Sequence, residues 1–81
     1  MALTSESLLQ YMRVRLGVET AGVEAATPLF SSSLLDSFSI VELMMFIETE
    51  GGFRMDAWDV TLDNLDSIER ILTYAEMKRS G

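Results

Sequence analysis

The segment over residues 34–50, Leu-Leu-Asp-Ser-Phe-Ser-Ile-Val-Glu-Leu-Met-Met-Phe-Ile-Glu-Thr-Glu, constrains the fold more than any other part of the chain. It reads as a helix over residues 37–50 that starts at the Asp36-Ser37 pair and stops at Gly51-Gly52, two residues of low helix propensity. At about 100° per residue, Ile40, Leu43, Met44 and Ile47 fall on one side in the i, i+3, i+4, i+7 stripe of a core face. Phe38, Val41 and Met45 fall on another side, bordered by Glu48 on one edge and by Glu42 and Thr49 on the other. A helix apolar nearly all round is normally buried on all sides, but an 81-residue chain lacks the volume to surround one. One apolar side is therefore expected to face solvent, and its carboxylate rim gives it the composition of a docking surface for basic partners.

The chain is long enough for one small domain, residues 1–81. Six basic against thirteen acidic residues give a net charge of -7, which repels phosphates and argues against nucleic-acid binding. There is no cysteine, so disulfides, thiol nucleophiles and thiolate metal sites are excluded. No basic apolar leader stands at Met1-Ala2-Leu3, and a cytoplasmic location is the expectation. The longest unbroken apolar run, residues 43–47, has five residues, far short of the ~20 that span a bilayer. Histidine is absent and Lys78 is the single lysine, so the common nucleophile–base pairings cannot be assembled. Thirteen acids allow a carboxylate pair in principle, but nothing in their spacing selects two, and the expectation is a protein that is not an enzyme.

Before the central segment, Leu8, Leu9, Met12 and Leu16 recur at helical spacing behind the cap-forming Thr4-Ser5, predicting a first helix over residues 4–16 that ends at Gly17. Residues 17–36 follow with no sustained period, holding Pro28 and a serine run at 31–33 that reads as a solvated turn. A loop so long is unusual in a small domain unless it is tied down, and Leu29-Phe30 and Leu34-Leu35 are the residues that can plug it into the core. After Gly51-Gly52, one helical turn is expected near residues 56–60, with Trp58 as a lid on the core. A last helix is predicted from 61 or 63 to about 77, with Asp63 and Asp66 in its first turn and Lys78-Arg79 at its end, where those charges complement the helix dipole. Leu65, Ile68, Ile71, Leu72 and Ala75 form its periodic face. The expected fold is all-α, a small four-helix bundle of three main helices plus a short third one, with a long first loop.

Pro28-Leu29-Phe30, Leu34-Leu35-Asp36-Ser37-Phe38, Val41-Glu42-Leu43 and Asn64-Leu65-Asp66-Ser67-Ile68 together resemble the acyl and peptidyl carrier proteins over roughly residues 5–78. That family has a Leu-Phe plug in its first loop, an Asp-Ser-hydrophobic motif opening its second helix and an Asn-Phe/Leu-x-Ser/Thr-Ile pattern opening its last. The resemblance implies that Ser37, beside Asp36, is the attachment point of 4'-phosphopantetheine taken from coenzyme A, whose thiol would carry an acyl or aminoacyl group as a thioester. It further implies a partner-recognition face of Phe38, Val41, Glu42, Met45 and Glu48. The implied partners are a phosphopantetheinyl transferase, an acyl or aminoacyl ligase or adenylation enzyme, and downstream synthase or transferase enzymes, met by a monomeric carrier.

Three positions depart from the pattern. Ser33 stands where the family usually has a glycine, Ser39 where fatty-acid carriers commonly have an acid, and Gly51-Gly52-Phe53 loosens the turn after the second helix. These departures argue against a housekeeping fatty-acid carrier, and the Leu-Leu-Asp-Ser form resembles the discrete carriers that serve polyketide, nonribosomal-peptide or D-alanyl and aminoacyl transfer systems. The competing expectation is an unmodified helical interaction or dimerisation module that uses the Phe38/Val41/Met45 face permanently.

Overall fold

The structure, a computed structural model, describes residues 3–36 and 38–80, with only the backbone of Ser80. Its helices are α1 (Ser5–Val14), α2 (Ser39–Gly51), the four-residue α3 (Leu62–Leu65) and α4 (Ile68–Ser80), with a 3-10 turn at Ala57–Asp59. No strand forms among the described residues. The all-α, four-helix expectation holds, with α4 as the element against which α1, α2 and α3 all pack.

Each long helix contributes its periodic positions to one core: Leu8 and Met12 from α1, Leu43 and Ile47 from α2, and Ile68, Ile71 and Ala75 from α4. Local signals fix the ends. At the head of α1 the Thr4 and Ser7 side chains cap each other's backbone N–H groups, at 3.1 and 3.0 Å, which satisfies donors that a helix start leaves over. The α1 helix stops at Val14, short of the expected 16, and α2 ends where Gly52 turns left-handed, with φ 73°.

The last helix differs most from expectation. It is split: α3 occupies residues 62–65, the chain breaks at Asp66, and Ser67 caps α4 by accepting the Arg70 N–H at 3.1 Å. The break exists because Asp66 is committed elsewhere. Its carbonyl accepts the Leu29 N–H at 2.7 Å, and its carboxylate accepts the N–H groups of Phe30 and Ser31 at 2.7 and 2.9 Å together with the Ser31 hydroxyl. Asp66 is thus a clasp on the long loop rather than a charge complementing a helix start. The Glu69 N–H adds a bond to the Ala25 carbonyl at 2.9 Å. Held this way, the loop buries Leu29 and Leu35, while Phe30 and Leu34 are half-buried against the core.

The helical turn expected near 56–60 is the 3-10 turn at Ala57–Asp59, and α4 runs three residues beyond the expected 77. Trp58, read as a lid, is instead 79% exposed. The turn is fixed by its neighbour: Asp59 accepts the Tyr74 hydroxyl at 2.7 Å, and Lys78 lies 3.7 and 3.9 Å from Asp56 and Asp59. Burial, then the hydrogen bond and charge of Asp59, push the Tyr74 phenol well above its ordinary range. With Asp59 turned toward α4, its neighbour Trp58 is left outside.

The clasp carries a pH dependence. Desolvation tends to raise the Asp66 carboxyl, but the hydrogen bonds from the Ser31 hydroxyl and from the backbone of Ser31, Phe30 and Leu29 outweigh it and hold the group below the usual aspartate range. A lowered folded-state pKa stabilises the fold above the unfolded value near 3.9, and that stability is lost as pH falls through the folded value. Asp66→Ala should therefore lower the urea-unfolding free energy by about 2 kcal/mol at neutral pH. The gap to wild type should narrow as pH drops below about 4; an equal gap at all pH values would contradict the clasp.

Ser33 has φ 66°, a left-handed conformation that costs a residue with a Cβ about 1–2 kcal/mol. Ser33→Gly should relieve that strain. Part of the gain is returned as unfolded-chain entropy, leaving a net stabilisation of about 0.5–1 kcal/mol in the same denaturation experiment.

Candidate functional site at the head of α2

The α2 helix begins two residues later than its sequence suggests. Asp36 lies outside the helix and caps it: its carboxylate accepts the Ser39 N–H at 2.9 Å and the Ser39 hydroxyl at 3.0 Å, and its carbonyl also accepts the Ser39 N–H, at 3.1 Å. The backbone and then the side-chain hydrogen bond from Ser39 hold the Asp36 carboxyl below its ordinary range despite full exposure. Ser39, a departure from the carrier pattern, is thus the residue that locks the motif's aspartate. Asp36 is a cap-forming residue type, and its place three residues before Ser39 is the signal that could have revealed this cap. Ser37, the expected attachment point, lies outside the described residues; its neighbours on both sides, Asp36 and Phe38, are exposed.

The apolar face that the helical wheel leaves for solvent is open. Phe38 is 86%, Val41 53% and Met45 58% exposed, while Leu43 and Ile47 on the opposite side are completely buried. Glu42 is exposed beside this face and sits in the first turn of α2, where a negative charge favours the helix. Glu48, expected on the same rim, is instead half-buried and accepts the Met55 N–H at 2.7 Å. It holds the segment after α2 against the helix. Among the described residues, Glu42 is the expected rim carboxylate that accepts no hydrogen bond within the fold, whereas the Glu48 carboxylate accepts one.

Behind Glu42 and Met45 the surface turns into a concavity of about 390 Å³, lined also by Tyr11, Arg15, Phe46 and Thr49. Sequence reasoning missed Tyr11 of α1 and Arg15 just beyond its end, because their place depends on how α1 crosses α2. Tyr11 stacks on Phe46 with ring centroids 4.2 Å apart, and burial, then the charge of Glu42, raise the Tyr11 phenol. Among the described residues no cluster of His, Cys, Asp or Glu is arranged to hold a metal ion, and no helix is long and apolar enough to cross a membrane. Comparison with protein-family profiles and with curated protein sequences finds no match for this chain.

The two glutamates should separate cleanly. Glu42→Lys should leave the urea midpoint within the ~0.5 kcal/mol expected of an exposed charge. Glu48→Lys, which removes the acceptor of the Met55 N–H, should cost about 1–2 kcal/mol. Equal effects on stability would refute the structural assignment of Glu48.

Proposed function

We propose that the protein is a carrier that holds acyl or aminoacyl intermediates as thioesters on a 4'-phosphopantetheine arm attached to Ser37, and presents them to successive enzymes. The observation that carries this reading is the head of α2, where an exposed apolar face with a free carboxylate at Glu42 lies directly beside the Asp36-Ser37 motif. The residues around the motif fit such a group. A covalent arm needs no pocket of its own, and exposed Asp36 and Phe38 leave the approach to the motif open.

In the modification step the Ser37 hydroxyl attacks the β-phosphate of coenzyme A. A P–O bond to Ser37 forms, the pyrophosphate P–O bond breaks, and adenosine 3',5'-bisphosphate leaves. The base and Mg²⁺ for that step would belong mainly to the transferase, and the carrier would contribute the hydroxyl and the docking face. The arm, once attached, supplies the thiol that the cysteine-free chain lacks. Phe38, Val41 and Met45 contribute apolar contact, and Glu42 steers basic partner surfaces, which suits rapid and reversible docking. The Leu-Leu-Asp-Ser form and the cap made by Ser39 favour a discrete carrier of the polyketide, nonribosomal-peptide or aminoacyl-transfer kind, acting in the cytoplasm and itself non-catalytic.

The exposed Phe38/Val41/Met45 face equally favours a second reading, an unmodified module that uses it as a permanent interface. Intact mass after co-expression with a promiscuous phosphopantetheinyl transferase decides between them. The carrier reading expects one added arm, absent in Ser37→Ala, on a chain that elutes as a monomer. An unmodified wild-type chain that self-associates and is made monomeric by Val41→Glu would establish the second reading instead.

A further inference from the structure

The concavity behind Glu42 does not end at α2. A second one, of about 310 Å³, shares Tyr11, Arg15 and Phe46 with it and continues along the other side of the aromatic stack to Ser7, Val14 and Glu50. Together they form a groove between α1 and α2 floored by the Tyr11–Phe46 stack. We propose that this groove is a docking site for a basic amphipathic helix of a partner protein.

The two helices are bridged here by the Tyr11–Phe46 aromatic stack, while each packs on α4. Its walls are apolar and exposed where a docked helix would press: Val14 is 64% exposed on α1 and Met45 58% on α2. The charges around it are Glu42 and Glu50 on the α2 wall and Arg15 on the α1 wall. Among the described residues the ion pairs are made by Lys78, so none of these three is neutralised by another. Two carboxylates on one wall against one guanidinium on the other, on a chain of net charge -7, select a helix whose apolar stripe is edged mainly by Lys or Arg. From Ser7 to Arg15 the α1 wall extends about 12 Å, enough for two to three turns of a partner helix.

This surface shares Glu42 and Met45 with the Phe38/Val41/Met45 face but adds the Tyr11, Val14 and Arg15 side, and it does not depend on modification of Ser37. Its α1 half provides the test. The ¹⁵N-labelled full chain is titrated with a synthetic amphipathic helix of about 14 residues built from Leu and Lys, and with a Leu/Glu peptide of the same pattern. Amide shifts concentrated at Tyr11, Arg15, Phe46 and Thr49 with the Leu/Lys peptide, and much weaker ones with the Leu/Glu peptide, are the expected result. Val14→Asp and Glu42→Lys should each change the affinity at least about fivefold, the first by burying a charge in the apolar wall and the second by reversing the rim. Glu76→Lys, on exposed α4 surface, should change it less than about twofold. Each variant is checked by far-UV circular dichroism and its urea midpoint, so that misfolding is not mistaken for lost binding. Shifts spread over the acidic surface, equal binding of both peptides, or an indifferent Val14→Asp would overturn the proposal. A chain that gains the arm yet fails to bind the peptide would overturn this inference alone.

Discussion

One carboxylate governs how the long loop is held and so how the chain approaches α2. Asp66 gathers the backbone of Phe30 and Ser31 and the Ser31 hydroxyl across 35 to 36 residues of sequence, and its carbonyl takes Leu29 as well. A loop of that length would otherwise keep most of its conformational entropy. Anchoring it at the α3–α4 break places Leu29 and Leu35 in the core, and the Leu35 N–H then closes on the Leu29 carbonyl at 2.9 Å. That closure delivers the chain to Asp36 and fixes where α2 begins. The clasp interrupts the last helix, and this cost is offset because Ser67 immediately recaps it.

The α2 helix meets two demands with one apolar sequence. Leu43 and Ile47 are fully buried in the core and α2 packs on α4, so the helix is held by its core face, while the opposite apolar residues remain in water. In a bundle this small no further layer exists to cover them. Exposed Phe38, Val41 and Met45 are concentrated on one side beside Glu42, which separates this face from singly scattered exposed apolar residues.

The helical frame is legible in the sequence because it rests on periodicity, a local property: Leu8 and Met12, Leu43 and Ile47, and Ile68, Ile71 and Ala75 all stand at helical spacing and all are buried. What escapes the sequence is decided by partners far along the chain. Asp66 and Ser67 are cap formers within a periodic run, yet only the loop residues 29–31 turn that possibility into a break. Trp58 is apolar enough to be a lid, but Tyr74 and Lys78 hold its neighbour Asp59 and leave the indole outside. Glu48 lies on the expected rim of the wheel, and only the fold of residues 52–55 back toward α2 makes it an acceptor for Met55. At the candidate site the exposed face is legible from the wheel, whereas the α1 wall with Tyr11 and Arg15 is not, because no sequence pattern states which side of α1 crosses α2.

The two ends of α2 are secured by different means, and the difference bears on what the helix can present. Its C-terminal end is tied to other parts of the chain through the Glu48–Met55 bond and the left-handed Gly52. Among the described residues, the side-chain hydrogen bonds at its N-terminal end are local, made between Asp36 and Ser39 three residues apart. A cap made this way orients the start of the helix without covering it. The same helix face stays open from Phe38 to Met45, so its apolar side chains stand in water while Leu43 and Ile47 behind them hold the core.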